Sequence, residues 1–139
     1  MRSLSLTAIL LTASAASMGS ELSASEVSRH LGVPIAKVTK EPSRGAGKGT
    51  DITYLTANGT PVLLLYVGQS SNWPCTRDAV AGMSKPFSGI SQAYIVESIG
   101  MICAPGAATF VCATPSEHYM MTGAKPSADA MRAIIKASL

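Results

Sequence analysis

The chain has 139 residues, of which 47% are hydrophobic and only 14% are charged. This composition is typical of one folded domain and excludes an intrinsically disordered chain. The formal charge of +3 is too small to require a nucleic-acid partner, and three cysteines with two histidines leave little material for a metal cluster. No uninterrupted apolar run reaches the roughly 18 residues that a membrane-spanning helix needs.

The N-terminus has the pattern of an export signal. Arg2 precedes a short apolar run over residues 4–11, and small residues follow at 13–17. This order is typical of a secretory signal peptide, and the alternative is a first amphipathic helix of the fold. We expect cleavage after Ala15 or Ala16 and assign residues 1–20 to the signal and 21–139 to one domain. The protein is then periplasmic or secreted, in an oxidising compartment, with no membrane-spanning segment in its mature chain.

The first element predicted in the mature domain is a helix over residues 24–31. Ser23 and Glu26 form a capping-box pattern, and Gly32 stands where helices end in the left-handed conformation. Residues 40–50 are rich in glycine and basic residues and are predicted to form a loop. Asn58-Gly59 then predicts a type I′ hairpin turn between two strands.

The remaining elements alternate between short strands and helices. The strand over 61–67 is continuously apolar, which predicts a central strand covered on both faces. Cys103 and Cys112 lie in two strands that a turn at Pro105-Gly106 joins. The predicted strands are 51–56, 61–67, 91–98, 100–104 and 107–114, with 118–122 as an optional further strand. The predicted loop is 68–74, and the further helices are 76–83 and 127–138.

The order of these elements predicts the fold class. Strands that follow one another through tight turns pair in antiparallel fashion. We therefore expect an α+β fold in which an antiparallel sheet of four to five strands carries two or three helices on one face.

The three cysteines are disulfide candidates: Cys75, Cys103 and Cys112. The predicted turn places Cys103 opposite residue 108, so Cys103 and Cys112 are not expected to face each other. Pairing of Cys75 with either is equally allowed, and one cysteine stays free or pairs between chains. Cys75 also follows a strand and Trp73-Pro74 and opens a helix, which resembles the thioredoxin active site. Asp78 stands where that site needs a second cysteine, so a single-cysteine redox protein is an alternative hypothesis.

Residues 22–40 resemble a helix-turn-helix. Ser28, Gly32 and Val38 have the spacing of that motif, and basic residues follow them. Pro34 replaces the usual cap of the second helix, and Pro42 ends that helix too early to fill a major groove. The competing interpretation is a helix followed by a strand that starts near Ile35. We keep DNA binding as a third hypothesis and expect no nucleic-acid partner.

No residues form a recognisable catalytic or metal-binding set. His118 with Met83 and Met101 offers donors for a soft copper(I) site, but methionines at such positions are more often core filler. The serines lack a nucleophile-elbow pattern, and the acidic residues are scattered singly. We therefore predict no catalytic residue, no metal and no cofactor.

Three segments resemble a class of small exported bacterial proteins of unknown function, many of them lipoproteins. Residues 22–27 with 31–34 resemble their first helix and its exit, residues 87–94 a strand entry, and residues 134–139 a C-terminal helix. The chain lacks the lipobox cysteine and the Cys-x-Tyr strand common in that class. The resemblance implies an α+β sandwich and brings no catalytic residues.

The sequence thus predicts an exported, non-enzymatic binding or interaction protein of the cell envelope or extracellular space. Its partner is an unspecified protein or small molecule. The expected binding surface combines the loops 40–50 and 68–74, with Trp73 as an anchor. The alternative is that Trp73 closes an edge of the sheet. The surface candidates are Arg44, Lys48, Trp73 and Arg77.

Overall fold

The computed structural model describes residues 22–44, 49–121 and 125–139. Four α-helices occur there: α1 (Ala24–Leu31), α2 (Trp73–Ala79), α3 (Glu117–Met121) and α4 (Ala128–Ser138). Seven strands accompany them: β1 (Lys37–Pro42), β2 (Thr50–Leu55), β3 (Pro61–Gln69), β4 (Lys85–Pro86), β5 (Tyr94–Val96), β6 (Met101–Pro105) and β7 (Thr109–Pro115). A 3₁₀ turn, Ser70–Asn72, precedes α2. The predicted signal segment 1–20 and Lys48 lie outside the described residues.

All seven strands form one antiparallel sheet in the order β1-β2-β3-β7-β6-β5-β4. The chain makes a meander from β1 to β3, crosses to the opposite edge, and returns through β4, β5 and β6 until β7 pairs with β3. This return brings β3 and β7 together in the middle of the sheet, although α2 and three strands separate them in the sequence.

The predicted class of four to five strands with two or three helices on one face is wrong. The sheet has seven strands, and the described residues form four helices that lie on both of its faces. The edge strand β4 has no counterpart in the prediction, and the edge strand β1 corresponds only to the strand near Ile35 in the competing interpretation of residues 22–40. All six residues of β1 are exposed, and β4 has only two residues. Neither strand carries the buried, alternating apolar residues by which a strand is recognised in a sequence.

One face of the sheet carries the larger core, which we call the first-face core. α1 and α4 cover it with Val27, Met131, Ile134 and Ile135. Tyr54, fully buried in β2, donates its hydroxyl to the carbonyl oxygen of Leu22 at 2.6 Å. That hydrogen bond anchors the entry to α1 onto the sheet. The remaining buried members are Leu22, Ile52, Leu63, Leu65, Ala93, Ile102, Ala104, Val111 and Ala113.

The caps of α1 agree with the prediction. The backbone N–H of Glu26 donates to Ser23 Oγ at 3.2 Å, and Ser23 N–H donates to the Glu26 carboxylate at 3.1 Å. Gly32 ends the helix with φ of 70°, in the left-handed region. The helix therefore occupies the predicted residues 24–31, because both of its ends are encoded locally.

The opposite face is only half covered. α2 lies over its β5–β6–β7 half, where Trp73 stacks on Tyr94 with ring centroids 5.4 Å apart and packs against Phe110 at 5.6 Å. Of the described helices, only the short α3 reaches the β1–β2–β3 half, beside the start of β3 at Pro61. Leu64, between the buried Leu63 and Leu65, is therefore 42% exposed. The prediction that the apolar strand is covered on both faces is wrong at this residue.

Two local predictions also need correction. A type I′ turn at Asn58-Gly59 needs a positive φ at both residues. Gly59 has φ of 87°, but Asn58 does not have a positive φ, since Gln92 is the only described non-glycine residue that does. Thr56 N–H donates to Thr60 O at 2.9 Å, which closes a three-residue loop over 57–59 instead of a two-residue type I′ turn. Residues 118–121 of the optional strand belong to helix α3, at whose start Ser116 Oγ accepts a hydrogen bond from Tyr119 N–H at 3.1 Å, and residue 122 lies outside the described residues.

Candidate functional site

The disulfide joins Cys103 and Cys112, the pairing that the turn prediction disfavoured. The two residues face each other across β6 and β7, with Cα atoms 4.0 Å apart. The β6–β7 connection has its centre between residues 107 and 108, whereas the predicted turn has its centre two positions earlier, between Pro105 and Gly106. Gly106 N–H donates to Thr109 O at 2.7 Å and closes a wider loop, which shifts the register so that Cys103 meets Cys112. Both cysteines are buried beneath α2 beside Trp73.

Cys75 is the free cysteine, and its side chain is exposed on α2. Asp78 lies three residues later and pairs with Arg77 at 3.3 Å. Because the other two cysteines are bonded to each other, Cys75 has no second thiol of this chain with which to form an intramolecular disulfide. The surrounding fold is an antiparallel sheet without the βαβ unit of the thioredoxin layout.

Within the described residues, the predicted binding surface lacks the exposed anchor that Trp73 was expected to provide. Trp73 is only 6% exposed, and its ring fills the space between α2 and the sheet instead of facing solvent. Arg44 is exposed after the edge strand β1, and Arg77 is exposed on α2. An amphipathic side chain such as tryptophan looks the same in a sequence whether it anchors a partner or closes a core. Here the ring is buried on a face of the sheet, against Tyr94 and Phe110, and not at the sheet edge that the alternative interpretation gave it.

Residues 22–40 do not form two helices. α1 ends at Leu31, and the next element is the strand β1, which starts at Lys37. Ser28 Oγ donates to Val33 O at 2.8 Å and accepts from Ile35 N–H at 2.7 Å, which turns the chain from the helix into the strand. The recognition helix that a helix-turn-helix requires is therefore absent from this segment.

We call the sheet face opposite the first-face core the second face. Its uncovered half holds a groove of about 740 Å³. Thr53, Leu64 and Thr114 form its floor, since they are direct cross-strand neighbours on β2, β3 and β7. Ile99, in the turn between β5 and β6, and Met121, on α3, form its rim. We call this feature the open-face groove.

Ser116 fixes the position of α3 beside the groove. Its hydroxyl donates to Pro61 O at 2.6 Å while it accepts the hydrogen bond from Tyr119 N–H. Tyr119 is buried, so the opposite side of this short helix projects outward. His118 and Met121 border the groove from that position.

Exposed apolar side chains line the groove. Leu64, Ile99 and Met121 are 42%, 49% and 78% exposed, and they are three of the six large hydrophobic residues exposed in the described part of the chain. A second groove, of about 630 Å³, borders Val33 and Asn58 and contains none of the six. Clustered apolar exposure in a concavity of this size is typical of ligand-binding sites.

The polar residues that line the open-face groove are hydroxyl-bearing except for Glu117 and His118. The hydroxyls of Thr53 and Thr114 and the imidazole of His118 are available as hydrogen-bonding groups. In the described ranges no three His, Cys, Asp or Glu side chains are grouped for metal binding. The arrangement is suited to holding an apolar molecule in one orientation. The sequence signal that was missed is Leu64, the member of the apolar run that no helix covers.

No family model matches the chain, and neither the curated proteins nor the solved structures include a significantly similar one. Among the described helices, none is both long and apolar enough to traverse a bilayer.

Proposed function

We propose that this protein is an exported binding protein that holds a small, largely apolar ligand in the open-face groove. The observation that carries the proposal is the concentration of exposed Leu64, Ile99 and Met121 around one cavity. Burying such side chains against a ligand contributes on the order of 25 cal/mol per Å² of apolar surface. The neighbouring hydroxyls of Thr53 and Thr114 orient polar atoms of the ligand.

Two features support export. The order of charged, apolar and small residues at the N-terminus is that of a signal peptide. The Cys103–Cys112 disulfide is of the kind that forms and persists in oxidising compartments. Among the described residues that line the groove, no nucleophile is paired with a base, so binding accounts for these residues better than catalysis does.

The ligand proposal is tested with an environment-sensitive apolar fluorophore, 1-anilinonaphthalene-8-sulfonate. Met121→Glu places in the groove a charge of the same sign as the sulfonate of the probe, and Met83→Glu is the matched control, because Met83 is 63% exposed but does not line it. We expect the Kd of the probe to rise about tenfold or more in Met121→Glu, since losing one apolar contact costs about 1.5 kcal/mol or more. Met83→Glu should bind as the unaltered protein does.

Equal effects of the two substitutions, or none from either, would contradict the assignment of the groove. Circular dichroism of both variants shows whether the fold is intact, because both methionines are exposed and their replacement leaves no cavity in the core.

Export is tested separately by the intact mass of the protein recovered from expressing cells, after thiol alkylation without reduction. We expect a chain that lacks about 15 to 20 N-terminal residues. One alkyl group should map to Cys75, and Cys75→Ser should carry none. A full-length chain with three alkylated thiols would mean that the protein is not exported.

A further inference from the structure

We propose that His118 and Met121 form a binding site for a soft monovalent metal ion, Cu(I) or Ag(I), at the rim of the open-face groove. The two side chains belong to α3 and border the same cavity. This inference does not rest on the proposed apolar ligand. An imidazole and a thioether can bind an ion whether or not the groove holds an organic molecule.

The exposure of Met121 removes the main objection to such a site. Methionines in a small domain are usually core filler. Met121 is 78% exposed, the largest value among the exposed hydrophobic residues in the described part of the chain. Its thioether is therefore accessible to ions from solvent. Met101, in contrast, packs against the second-face core of Trp73 and Cys103 and is no longer a candidate ligand.

The spacing on α3 places both donors on one side of the helix. Residues three positions apart are neighbours on a helix surface, with Cβ atoms about 5–6 Å apart. Both side chains are long enough to reach a common ion from that separation. Met120 also borders the groove, but it is two positions from His118 and leaves the helix in a different direction.

His118 has nitrogen atoms available for a metal. No residue of the described ranges makes a hydrogen bond or ion pair with its imidazole. The hydrogen bonds of Ser116 hold the helix in place beside the sheet, so the ligands are presented on a fixed segment. A neutral imidazole binds through one ring nitrogen while the other keeps its proton.

The donor set selects the class of ion. Thioether sulfur is a soft ligand that favours Cu(I), and imidazole binds copper readily. Magnesium and calcium prefer several oxygen ligands, and structural zinc sites need four ligands, usually from Cys and His. Two donors, one sulfur and one nitrogen, fit a monovalent ion of low coordination number.

The test is a titration with Ag(I), which replaces Cu(I) as a probe without redox chemistry. It is carried out in full-length Cys75→Ser protein, because the exposed thiol of Cys75 would otherwise bind the ion. With ¹³C-methyl methionine, NMR reports each methionine separately. We expect the Met121 methyl signal to shift and to saturate near one equivalent of Ag(I), while the Met83 signal stays in place.

Two substitutions identify the ligands, and one serves as the control. Outer-shell changes at metal sites alone cost about 10- to 100-fold in affinity, so His118→Ala and Met121→Leu should each raise the Kd for Ag(I) at least about tenfold. Met83→Leu should leave it unchanged. Met121→Leu also keeps the groove apolar, so binding of the fluorescent probe should persist there and the two proposals fail independently. Unchanged Ag(I) affinity in Met121→Leu, or equal shifts of Met83 and Met121, would overturn the metal site.

Discussion

Arg132 and Gly89 fasten the loop before β5 to helix α4. Arg132 Nε donates to Ser88 O at 2.9 Å, and its guanidinium lies 4.9 Å from the centre of the Phe87 ring. The carboxylate Oδ1 of Asp129 pairs with Arg132 Nη1 at 2.7 Å. Gly89 has φ of +94°, and a Cβ atom there would collide with the Arg132 side chain. The loop therefore needs glycine for both its backbone conformation and its close approach to the helix.

Gly89→Ala should lower the free energy of unfolding by about 1–3 kcal/mol, the cost of a residue held in a sparsely populated backbone region. Gly82→Ala is the matched control, because a Cβ at Gly82 meets no atom within 4 Å and its φ is not positive. The control should change stability by less than about 1 kcal/mol. Urea unfolding measures both, and similar losses in the two variants would refute the role of Gly89.

At the scale of single elements, α1 shows how a local sequence pattern sets a helix boundary. Ser23 holds the Glu26 carboxylate through its backbone N–H and its hydroxyl, at 3.1 and 3.2 Å. These hydrogen bonds, with smaller contributions from Arg29 and His30, lower the pKa of Glu26 below its usual value. Ionised Glu26 therefore favours the folded helix. Its contribution is complete at neutral pH and is lost as the pH falls through the lowered pKa.

Ser23→Ala should raise the pKa of Glu26 toward its usual value, because the hydroxyl donor is lost while the backbone donor remains. The same change should cost about 1 kcal/mol of stability, as the loss of an N-cap residue typically does. An NMR titration of the Glu26 side chain gives the pKa, with the urea-unfolded chain as reference. A pKa that is identical in both proteins would show that the hydroxyl does not hold the carboxylate.

At the scale of the whole molecule, the two faces of the sheet have different roles. The first face is covered by α1 and α4, which bury Ile134 and Ile135 completely. The second face is covered by α2 only where Trp73 and the disulfide lie, and its other half carries the groove. Stability is therefore expected to depend mainly on the first face, which leaves the groove side chains available for binding.

Two isoleucines test this division of roles. Ile134→Ala in the first-face core should cost about 2–5 kcal/mol, because it leaves a cavity between α4 and the sheet. Ile99→Ala at the groove rim should cost less than about 1 kcal/mol, because Ile99 is 49% exposed. Thermal or urea unfolding of both variants decides the matter. A large loss for Ile99→Ala would mean that the groove wall is part of the core.

Prediction succeeded where the signal is local. The capping box and Gly32 set α1, and Ser127 accepts a hydrogen bond from Ala130 N–H at 3.0 Å at the start of α4, as its position predicts. It failed where packing decides. Trp73, a candidate anchor of the predicted binding surface, is buried between α2 and the sheet, and the sequence does not mark the bounds of the edge strand β1 because all of its side chains are exposed. Within the site, His118 was singled out, but Leu64 and Ile99 were not.

Sequence patterns alone predict the ends of α1, the start of α4, the hairpin between β2 and β3, and the apolar stripe of α4, because each depends on residues within a few positions of one another. They do not predict α2, which spans Trp73–Ala79 and not the expected 76–83. The order of the strands, the pairing of Cys103 with Cys112, and the uncovered half of the sheet become visible only in the folded chain. Those outcomes depend on contacts between distant segments, such as β3 beside β7, and on loop lengths that shift a register by one or two residues. The open-face groove exists because α2 covers only one half of the second face.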